Sequence, residues 1–340
     1  MSMSSCGGMK HEADLAGRLL SVMRQALGGD VVRVGSLAQL SGGASRETWA
    51  FDAVNRNGDR QRFILQRRRS LGSEAAGAEA GLGMATEAAI LQAAESGGVP
   101  VAHLVACEDN AGALGAPFLV VERLEGETIP PRILRDDGYA AARGRLAEQY
   151  GEALGRIHGI APDSVSGLKR HDPLEYWAEV LHRIGHPHPA LELGLRWLRA
   201  NDPRDLAQPE ALLHGDFRNG NGIVGLEGLR AVIDWELAHL GDPMEDVGWF
   251  CIRAWRFGAL PPVGGFGTYE QFLGGYERTT GRSVSMDVLR WWQVMESLRW
   301  AVVCINQGAT HLSGHRRSLE LAAVGRRACE AEFDMLLLLP

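Results

Sequence analysis

Long apolar runs are absent from this sequence of 340 residues. It contains no stretch of about 18 or more apolar residues, the length that a transmembrane helix needs. Residues 1–8 are small and polar, whereas a signal peptide carries an apolar stretch near its start. The sequence therefore predicts neither membrane insertion nor export, and we expect the protein in the cytoplasm.

Cysteine is scarce, and its spacing excludes two further classes of protein. The five cysteines are odd in number, widely scattered and never arranged as C-x-x-C: they are Cys6, Cys107, Cys251, Cys304 and Cys329. Neither a disulfide framework nor a zinc ribbon is predicted from such a pattern. We expect reduced thiols.

An excess of positive charge is also lacking. The chain has 35 lysines and arginines against 42 aspartates and glutamates, which gives a formal net charge of -7 at pH 7. Surfaces that bind nucleic acid or an anionic membrane are usually basic, so we expect neither partner. The length suffices for two domains, or for one large fold in two lobes with a cleft for a small molecule.

The first third of the sequence has the pattern of an antiparallel sheet. Asn57-Gly58 is a strong hairpin signal, and short β-branched or aromatic segments lie at residues 31–40, 47–54, 62–65, 101–107 and 118–121. Residues 11–28 and 84–94 have helical periodicity and are followed by Gly-Gly pairs. Residues 67–83 lack periodicity, which predicts a loop.

The rest of the sequence is mainly helical. From about residue 122 it consists of long segments rich in Leu, Ala and Trp, interrupted by turn-and-strand segments at 212–224 and 229–235. We predict a hinge at residues 122–127 between an N-terminal lobe, 1–121, and a C-terminal lobe, 128–340.

The turn-and-strand segments carry the residues best suited to chemistry. HGDFRNGN at residues 214–221 follows one apolar run, and IDWE at residues 233–236 ends the next. Asp216, Asn221 and Asp234 thus lie within 19 residues. Phosphoryl transfer from a nucleotide needs such a set: a carboxylate that orients and deprotonates the accepting hydroxyl, and oxygen ligands for Mg²⁺. A hairpin between Asn221 and Asp234 would bring the ligands together.

These motifs resemble the signature of aminoglycoside phosphotransferases and choline kinases. An HGD motif with an Asn five residues after the Asp, followed by an apolar-apolar-Asp-Trp-Glu segment, is specific within so short a window. The resemblance covers about residues 30–310. It implies an α+β, protein-kinase-like bilobal fold and an enzyme that transfers the γ-phosphoryl group of ATP or GTP to a hydroxyl of a small molecule.

The resemblance also implies a role for each matched residue. Asp216 is the catalytic base, and Asn221 and Asp234 hold Mg²⁺. Glu236 either helps to bind a second metal or forms a salt bridge at the mouth of the cleft, and His214 supports the loop. The alternative of two plain surface turns is disfavoured, because further kinase-like segments occur in the right order along the chain.

Residues 41–49 resemble the family's nucleotide-phosphate loop by their position between two strands. The small residues Gly42, Gly43 and Ser45 would let backbone N–H groups approach phosphate oxygens. The segment is not the kinase G-x-G-x-x-G, and a Gly-Gly pair between strands is often only a turn.

The family places a cation at the end of the third strand, where it binds the α- and β-phosphates and pairs with a helix glutamate. Here either Gln66 or Arg67 occupies that place, and a register slip of one residue would exchange them. We favour Arg67, because phosphates need a charge, with Glu87 as its helix partner. The alternatives are a solvated basic run at residues 67–69 and an ordinary exposed Glu87.

Two further segments resemble parts of the family. Residues 118–126 resemble the hinge strand, where main-chain groups from Glu122 to Leu124 would hydrogen-bond the base. Residues 240–249 resemble the segment after the metal-binding Asp, in which Asp242 would cap a helix before Pro243 and Asp246 would bond the backbone of the catalytic loop.

The acceptor is the least determined part of the prediction. Polycationic aminoglycosides require an acidic pocket, whereas the helices after Asp246 offer many aromatic residues and four arginines: Arg253, Arg256, Arg278 and Arg282. DWELAHLGDP from Asp234, and RWA at residues 299–301, resemble kinase domains attached to acyl-CoA dehydrogenases. This suggests a hydroxyacyl-CoA or another metabolic alcohol.

Three alternative functions remain open at the level of sequence. One is an aminoglycoside-type antibiotic phosphotransferase. Another is a catalytically silent nucleotide-binding kinase fold, for which Gln66 is the only supporting feature. The third is a metal-dependent phosphohydrolase that uses the same acidic residues.

Overall fold

The computed structural model describes residues 5–40, 46–68 and 81–340. Gly42, Gly43 and Ser45 of the predicted phosphate loop, and residues 69–80 of the predicted long loop, lie outside the described residues. The chain divides into two compact units, Met1–Glu125 with Val165–Gly167, and Gly126–Ser164 with Leu168–Pro340. None of the described helices is long and apolar enough to cross a membrane.

The first unit is built on a five-stranded antiparallel sheet. Its elements are α1 (Ser5–Leu27), β1 (Val31–Gln39), β2 (Arg46–Asn55), β3 (Arg60–Arg68), α2 (Met84–Ser96), β4 (Leu104–Glu108) and β5 (Phe118–Glu122). The strand order is β1-β2-β3-β5-β4. The predicted sheet is therefore confirmed, and so is the turn between β2 and β3, in which Gly58 has a φ of 87° that suits glycine.

One face of this sheet packs against α1. The helix contributes Leu15, Leu19 and Met23 to a buried cluster whose strand residues include Trp49, Phe51, Phe63, Leu65, Phe118 and Val120. Because side chains alternate along a strand, Arg46, Thr48 and Gln66 lie on the opposite face.

The second unit is mainly helical. Its helices are α3 (Pro130–Arg135), α4 (Ala140–His158), α5 (Pro173–Ile184), α6 (Pro189–Ala200), α7 (Met244–Cys251), α8 (Tyr269–Thr280), α9 (Met286–Leu312), α10 (Leu319–Arg326) and α11 (Ala328–Leu336). Its strands are β6 (Ala211–Leu213), β7 (Gly222–Gly225), β8 (Gly228–Val232) and β9 (His239–Gly241). The predicted order of helices, a small β insertion and helices is confirmed.

The four short strands place two loops side by side. Strand β6 pairs with β9, and β7 pairs with β8. Residues 214–221 connect β6 to β7, and residues 233–238 connect β8 to β9. The backbone N–H of Ile233 donates to the carbonyl oxygen of Asn221 at 3.0 Å, so the end of the first loop lies beside the start of the second.

Helices α4 and α8 approach each other at a distance that only glycine permits. A Cβ on Gly151 would lie 2.0 Å from the carbonyl oxygen of Phe272, and a Cβ on Gly275 would lie 2.4 Å from that of Glu148. Tyr150, beside Gly151, packs in an aromatic cluster with Phe217, Phe250 and Phe266. Since Phe217 belongs to the first loop, Tyr150 of α4 packs directly against that loop and supports it.

A buried ionic network joins β9, α7 and α9. Nη1 of Arg299 lies 3.1 Å from Oε2 of Glu296 and 3.4 Å from Oε1 of Glu245. Nη2 of Arg299 donates to the carbonyl oxygen of Gly215 at 2.6 Å. Nε2 of His239 lies 3.2 Å from Oε1 of Glu245, as an ion pair rather than an aligned hydrogen bond. The network therefore fixes the first loop through its backbone.

Burial and charge shift the protonation of this network. Burial by itself lowers the pKa of His239, but the carboxylates of Glu245 and Asp246 and the carbonyl oxygen of Leu237 together outweigh burial and raise that pKa to about 9. Burial by itself raises the pKa of Glu245, yet His239 and Arg299 hold it below its usual range. Burial keeps the pKa of Glu296 above its usual range.

The close approach of α4 to α8 predicts a large cost for one methyl group. We expect Gly151→Ala to lower the free energy of unfolding of the second unit by about 1–3 kcal/mol, because the helices must move apart. Chemical denaturation followed by circular dichroism measures this change. Gly144→Ala on the same helix is the control, since nothing lies within 4 Å of its Cβ. It should be neutral or stabilising by up to roughly 1 kcal/mol, and equal losses in both variants would contradict the packing argument.

The ion pair of His239 predicts that stability depends on pH. Its pKa is about 9 in the folded protein, against the ordinary value of 6.5. Between these values only the folded state holds the proton, so the stabilisation is complete below about pH 6.5 and is lost as the pH rises through 9. We expect His239→Gln to be less stable than the unaltered protein at about pH 6.5, and the difference to shrink by about pH 9.5.

Thermal melting across this range of pH measures the difference. His182→Gln is the matched control, because the His182 side chain is 58% exposed, and its melting curve should follow that of the unaltered protein at every pH. A deficit of His239→Gln that stays constant with pH would contradict the assignment.

Candidate active site

Three side chains orient the carboxylate of Asp216. Nε1 of Trp249 donates to Oδ1 at 2.8 Å, and Nδ2 of Asn221 donates to Oδ2 at 2.7 Å. Nε of Arg218 lies 3.0 and 3.1 Å from the two oxygens. The Asp216 side chain keeps 15% of its surface exposed. Asp216 is therefore held in one orientation while it remains accessible.

The backbone of the same loop is held by Asp246 of α7. Its two carboxylate oxygens accept the N–H of His214 at 2.7 Å and that of Gly215 at 3.0 Å. Burial by itself raises the pKa of Asp246, but the hydrogen bonds from His158 and from the His214 backbone hold that pKa below its usual range. The prediction that Asp246 bonds the backbone of this loop is confirmed.

His214 connects the two loops as a neutral side chain. Burial lowers its pKa. Nε2 lies 3.0 Å from the carbonyl oxygen of Ile233, and Nδ1 lies 3.2 Å from the backbone nitrogen of Asp216. Nε2 therefore donates and Nδ1 accepts. Both ring nitrogens bond backbone atoms, so His214 holds the loops together.

Asp242 lies two residues before the first residue of α7. The N-cap position is occupied by Pro243, and the helix begins at Met244. The carboxylate of Asp242 still accepts the N–H of Met244 at 2.9 Å. Because Pro243 already adopts helical torsion angles, the Asp242 side chain caps the first turn as predicted, although the regular helix begins only at Met244.

Side chains with oxygen atoms of the kind that suit a divalent cation lie on the two loops. Nδ2 of Asn221 donates to the backbone oxygen and to Oδ2 of Asp216, so the carboxamide oxygen is the atom left for a ligand. Asp234 is exposed, with a φ of 69° in the left-handed region that residues other than glycine rarely adopt. Glu236 is half-buried two residues later. A carboxamide and carboxylates are the hard oxygen donors that suit Mg²⁺.

The cation next to Glu87 differs from the one predicted. Nη1 of Arg46 lies 2.9 and 2.7 Å from the two oxygens of Glu87, and 3.3 Å from Oε1 of Gln66. Nη2 of Arg67 instead lies 2.7 Å from Oε2 of Glu47. The predicted pairing of Arg67 with Glu87 was therefore wrong. In the observed register Arg67 lies opposite Glu47, and both point away from the face that carries Gln66.

The hinge prediction concerned main-chain groups near the end of β5. The N–H of Glu122 donates to the carbonyl oxygen of His103, and that of Arg123 donates to the carbonyl oxygen of Arg62, both at 2.9 Å. Within the described part of the chain, the backbone of Leu124 makes no hydrogen bond. Of the predicted positions, Leu124 is therefore the one whose main chain is best placed for a ligand.

A second cluster of possible metal ligands is explained by ion pairing. Ligand atoms of His171, His239 and Glu245 lie within 4.8 Å of one another. Arg299 contacts the same oxygen of Glu245 as His239 does. The carboxylate is thus already neutralised, and the cluster belongs to the network beneath the loop.

Three residues at these sites were not predicted from the sequence, namely Arg46, Arg218 and Trp249. The sequence did carry a signal for Arg218, since it lies two residues after Asp216. In the structure its guanidinium carbon lies 4.7 Å from the ring centre of Trp255. Trp249 lies three residues after Asp246 and therefore on the same side of α7.

Solved structures support the fold. A structure from Ralstonia eutropha JMP134, assigned as an aminoglycoside phosphotransferase, matches with a TM-score of 0.74 and 21% identity over 95% of this chain and 97% of that one. A spectinomycin phosphotransferase solved with ADP and spectinomycin matches with a TM-score of 0.59 and 15% identity over 95% and 99%. The predicted α+β kinase-like bilobal fold is confirmed.

Curated relatives share part of their length with this chain. Acyl-CoA dehydrogenase family member 10 of Mus musculus is 30% identical over 192 residues, which are 52% of this chain and 17% of that protein. Family member 11 of Pongo abelii is 25% identical over 245 residues, which are 65% of this chain and 30% of that protein. The chain thus spans less than a third of the length of these relatives.

The family model for the phosphotransferase enzyme family matches residues 36–283, well over half of the chain. This range contains both loops, Asp246 and the Arg46–Glu87 pair. The chain therefore belongs to the phosphotransferase enzyme family, and it is a small-molecule phosphotransferase.

Proposed function

We propose that this enzyme uses Mg²⁺ and a nucleoside triphosphate to phosphorylate a hydroxyl group of a small molecule, with Asp216 as the general base. The observation that carries the proposal is the orientation of the Asp216 carboxylate by Trp249, Asn221 and Arg218. Side-chain donors on both oxygens hold the carboxylate for an incoming hydroxyl, which is the positioning that phosphoryl transfer requires.

In the proposed reaction the acceptor oxygen attacks the γ-phosphorus. The bond between the γ-phosphorus and the β–γ bridging oxygen breaks, and the nucleoside diphosphate leaves. The hydroxyl proton passes to the carboxylate of Asp216. Arg218, whose Nε already contacts that carboxylate, places a positive charge where negative charge develops.

Asn221 and Asp234 would hold Mg²⁺, and Glu236 would contribute to a second metal ion. When bound, Mg²⁺ neutralises charge on the phosphate groups. The fit rests on the donor atoms: a carboxamide oxygen and carboxylates from two adjacent loops, joined by the hydrogen bond from Ile233 to Asn221.

The nucleotide would contact the first unit. Similar structures have been solved in complex with ADP or AMP-PNP, which supports ATP as the donor. The main chain at Leu124 would receive the base, and the backbone around Gly42, Gly43 and Ser45 would cover the phosphates. Glu122 would contribute only its carbonyl oxygen, because its N–H bonds His103.

For the acceptor we propose a metabolic alcohol such as a hydroxyacyl-CoA. The relatives named as acyl-CoA dehydrogenase family members support this class. The surroundings of Asp216 support it too, because Arg218 stacks on Trp255, which packs against Trp249 and Trp300. A cationic and aromatic wall suits a neutral or anionic acceptor better than a polycation.

Two of the four arginines noted in the sequence do not add to this wall. Arg253 pairs with Asp334, and Arg278 pairs with Glu148 and Glu152. Arg218 and the tryptophans are therefore the groups that disfavour a polycationic acceptor.

Replacement of Asp216 tests the general base. We expect Asp216→Asn to lower kcat by about 10²–10⁴-fold, because the amide cannot take the proton, while nucleotide affinity stays unchanged. Nucleotide consumption with Mg²⁺ across hydroxyacyl-CoA thioesters, sugars, choline-like amines, macrolides and aminoglycosides measures turnover and identifies the acceptor.

Asp205→Asn, at an exposed position, is the control and should behave as the unaltered protein. Unchanged turnover in Asp216→Asn would remove Asp216 from the mechanism. Turnover confined to aminoglycosides or macrolides would replace the proposed acceptor by an antibiotic.

The hydrogen bond from Trp249 predicts a smaller effect. Trp249→Phe keeps an aromatic ring against Trp255 but removes the N–H that orients Asp216, so we expect kcat to fall about tenfold with the KM for nucleotide unchanged. Trp291→Phe removes an indole N–H that donates to the carbonyl oxygen of Leu198 and has no contact with Asp216, so it should leave kcat within about twofold. Equal losses in both variants would assign the effect to packing.

A further inference from the structure

We infer that Arg46, on β2, is the phosphate-binding cation of this enzyme, and that it replaces the basic residue which kinase-like folds carry on β3. The inference rests on the proposed function, since it concerns the same nucleotide. It assigns a ligand-binding role to a residue that the sequence motifs do not mark.

The first observation is the geometry of the Arg46–Glu87 pair. Nη1 of Arg46 lies 2.7 Å from Oε2 of Glu87 and 2.9 Å from Oε1. The two side chains are only 10% and 4% exposed. In kinase-like folds a glutamate of the helix that follows β3 pairs with the cation that binds the α- and β-phosphates. Glu87 lies on that helix, α2, and its partner is Arg46.

The second observation is the place of Gln66. Gln66 lies opposite Thr48 in the register of β2 with β3, so it shares a face with Arg46. Its Oε1 accepts a hydrogen bond from Nη1 of Arg46 at 3.3 Å. The β3 position that faces Glu87 is thus filled by an uncharged side chain, and the positive charge reaches the same place from the neighbouring strand.

The third observation removes Arg67 from this role. Arg67 lies opposite Glu47 on the other face of the sheet and bonds it at 2.7 Å. Its Nη1 donates to the carbonyl oxygen of Leu114, a residue of the cluster packed against α1. Arg67 is therefore engaged with the α1 side of the sheet.

Chemistry allows Arg46 to serve both partners. A guanidinium has five N–H donors in a planar fork, so one side chain can bind a carboxylate and phosphate oxygens together.

Gln66 has a different role if Arg46 binds the phosphates. The loss of a basic residue on β3 was the only sequence feature that favoured a silent kinase fold. If Arg46 supplies the charge, Gln66 is the neutral neighbour that leaves room for it, and Gln66 no longer favours a silent fold.

The test compares the affinities of the nucleoside diphosphate and of the nucleoside, since only the diphosphate has phosphate groups for Arg46 to bind. Calorimetry with ADP and adenosine gives both dissociation constants. We expect Arg46→Gln to weaken ADP binding about 10- to 100-fold and to leave adenosine binding within about twofold. A purely structural role would weaken both ligands alike and would overturn the inference.

Arg46→Gln leaves Glu87 buried without its ion pair, so a second variant protects the test against unfolding. Arg46→Gln with Glu87→Gln removes both charges of the pair, and it should show the same selective loss of ADP affinity. Arg46→Gln with Gln66→Arg returns the cation to β3, and it should recover at least about tenfold of that affinity. A folded Arg46→Gln/Glu87→Gln variant that binds ADP as tightly as the unaltered protein would overturn the inference.

Arg67→Gln is the matched control on the opposite face of the sheet. It should bind ADP within about twofold of the unaltered protein. Selective loss of ADP affinity in this variant would restore Arg67 as the phosphate ligand and overturn the role of Arg46. Failure of the unaltered protein to bind any of ATP, GTP or ADP would instead overturn the proposed function.

Discussion

The arrangement of the first loop, residues 214–221, depends on one buried carboxylate. Asp246 accepts the backbone N–H groups of His214 and Gly215 and is itself paired with His158. A buried carboxylate is stable only when hydrogen bonds replace its water. These same hydrogen bonds fix the start of the loop, and Asp216 follows it directly. Arg299 holds the other side of Gly215 through the carbonyl oxygen.

Each unit contains a buried arginine paired with glutamate, and each pair lies beside a residue assigned to the reaction. In the second unit Arg299 joins Glu245 and Glu296 beneath the catalytic loop. In the first unit Arg46 joins Glu87 on the face that carries Gln66. Because breaking such a pair leaves an uncompensated charge in the interior, both pairs hold their neighbours in a narrow range of positions.

Family membership limits the possible chemistry but does not name the acceptor. A phosphotransferase of this fold supplies a base, metal ligands and a nucleotide site, and relatives of the fold act on very different alcohols. Arg218 and Trp249 contact Asp216, and Trp255 and Trp300 pack beside them; under the proposal above, this cationic and aromatic wall would disfavour a polycationic acceptor.

Much of the architecture could be predicted from local patterns. The strands of the first unit, the turn at Asn57-Gly58 and the β insertion follow from side-chain alternation and turn residues, which are local properties. The spacing of Asp216, Asn221 and Asp234 is equally local, since one hairpin joins them. The role of Asp246 could be anticipated because the resemblance included its position after Asp234.

Tertiary structure determines which cation pairs with Glu87, because two neighbouring strands supply three candidate arginines. Arg46, Arg67 and Arg68 all lie near the joined ends of β2 and β3, and only the register of those strands determines which of them faces α2. Trp249 and Arg299 likewise come from helices distant in sequence from the residues they contact. The sequence by itself determined which chemical groups and which local structures the chain has, because periodicity and spacing act over a few residues. Tertiary packing alone decided the partner of each buried charge, because a charge taken out of water pairs with whatever the fold brings within reach.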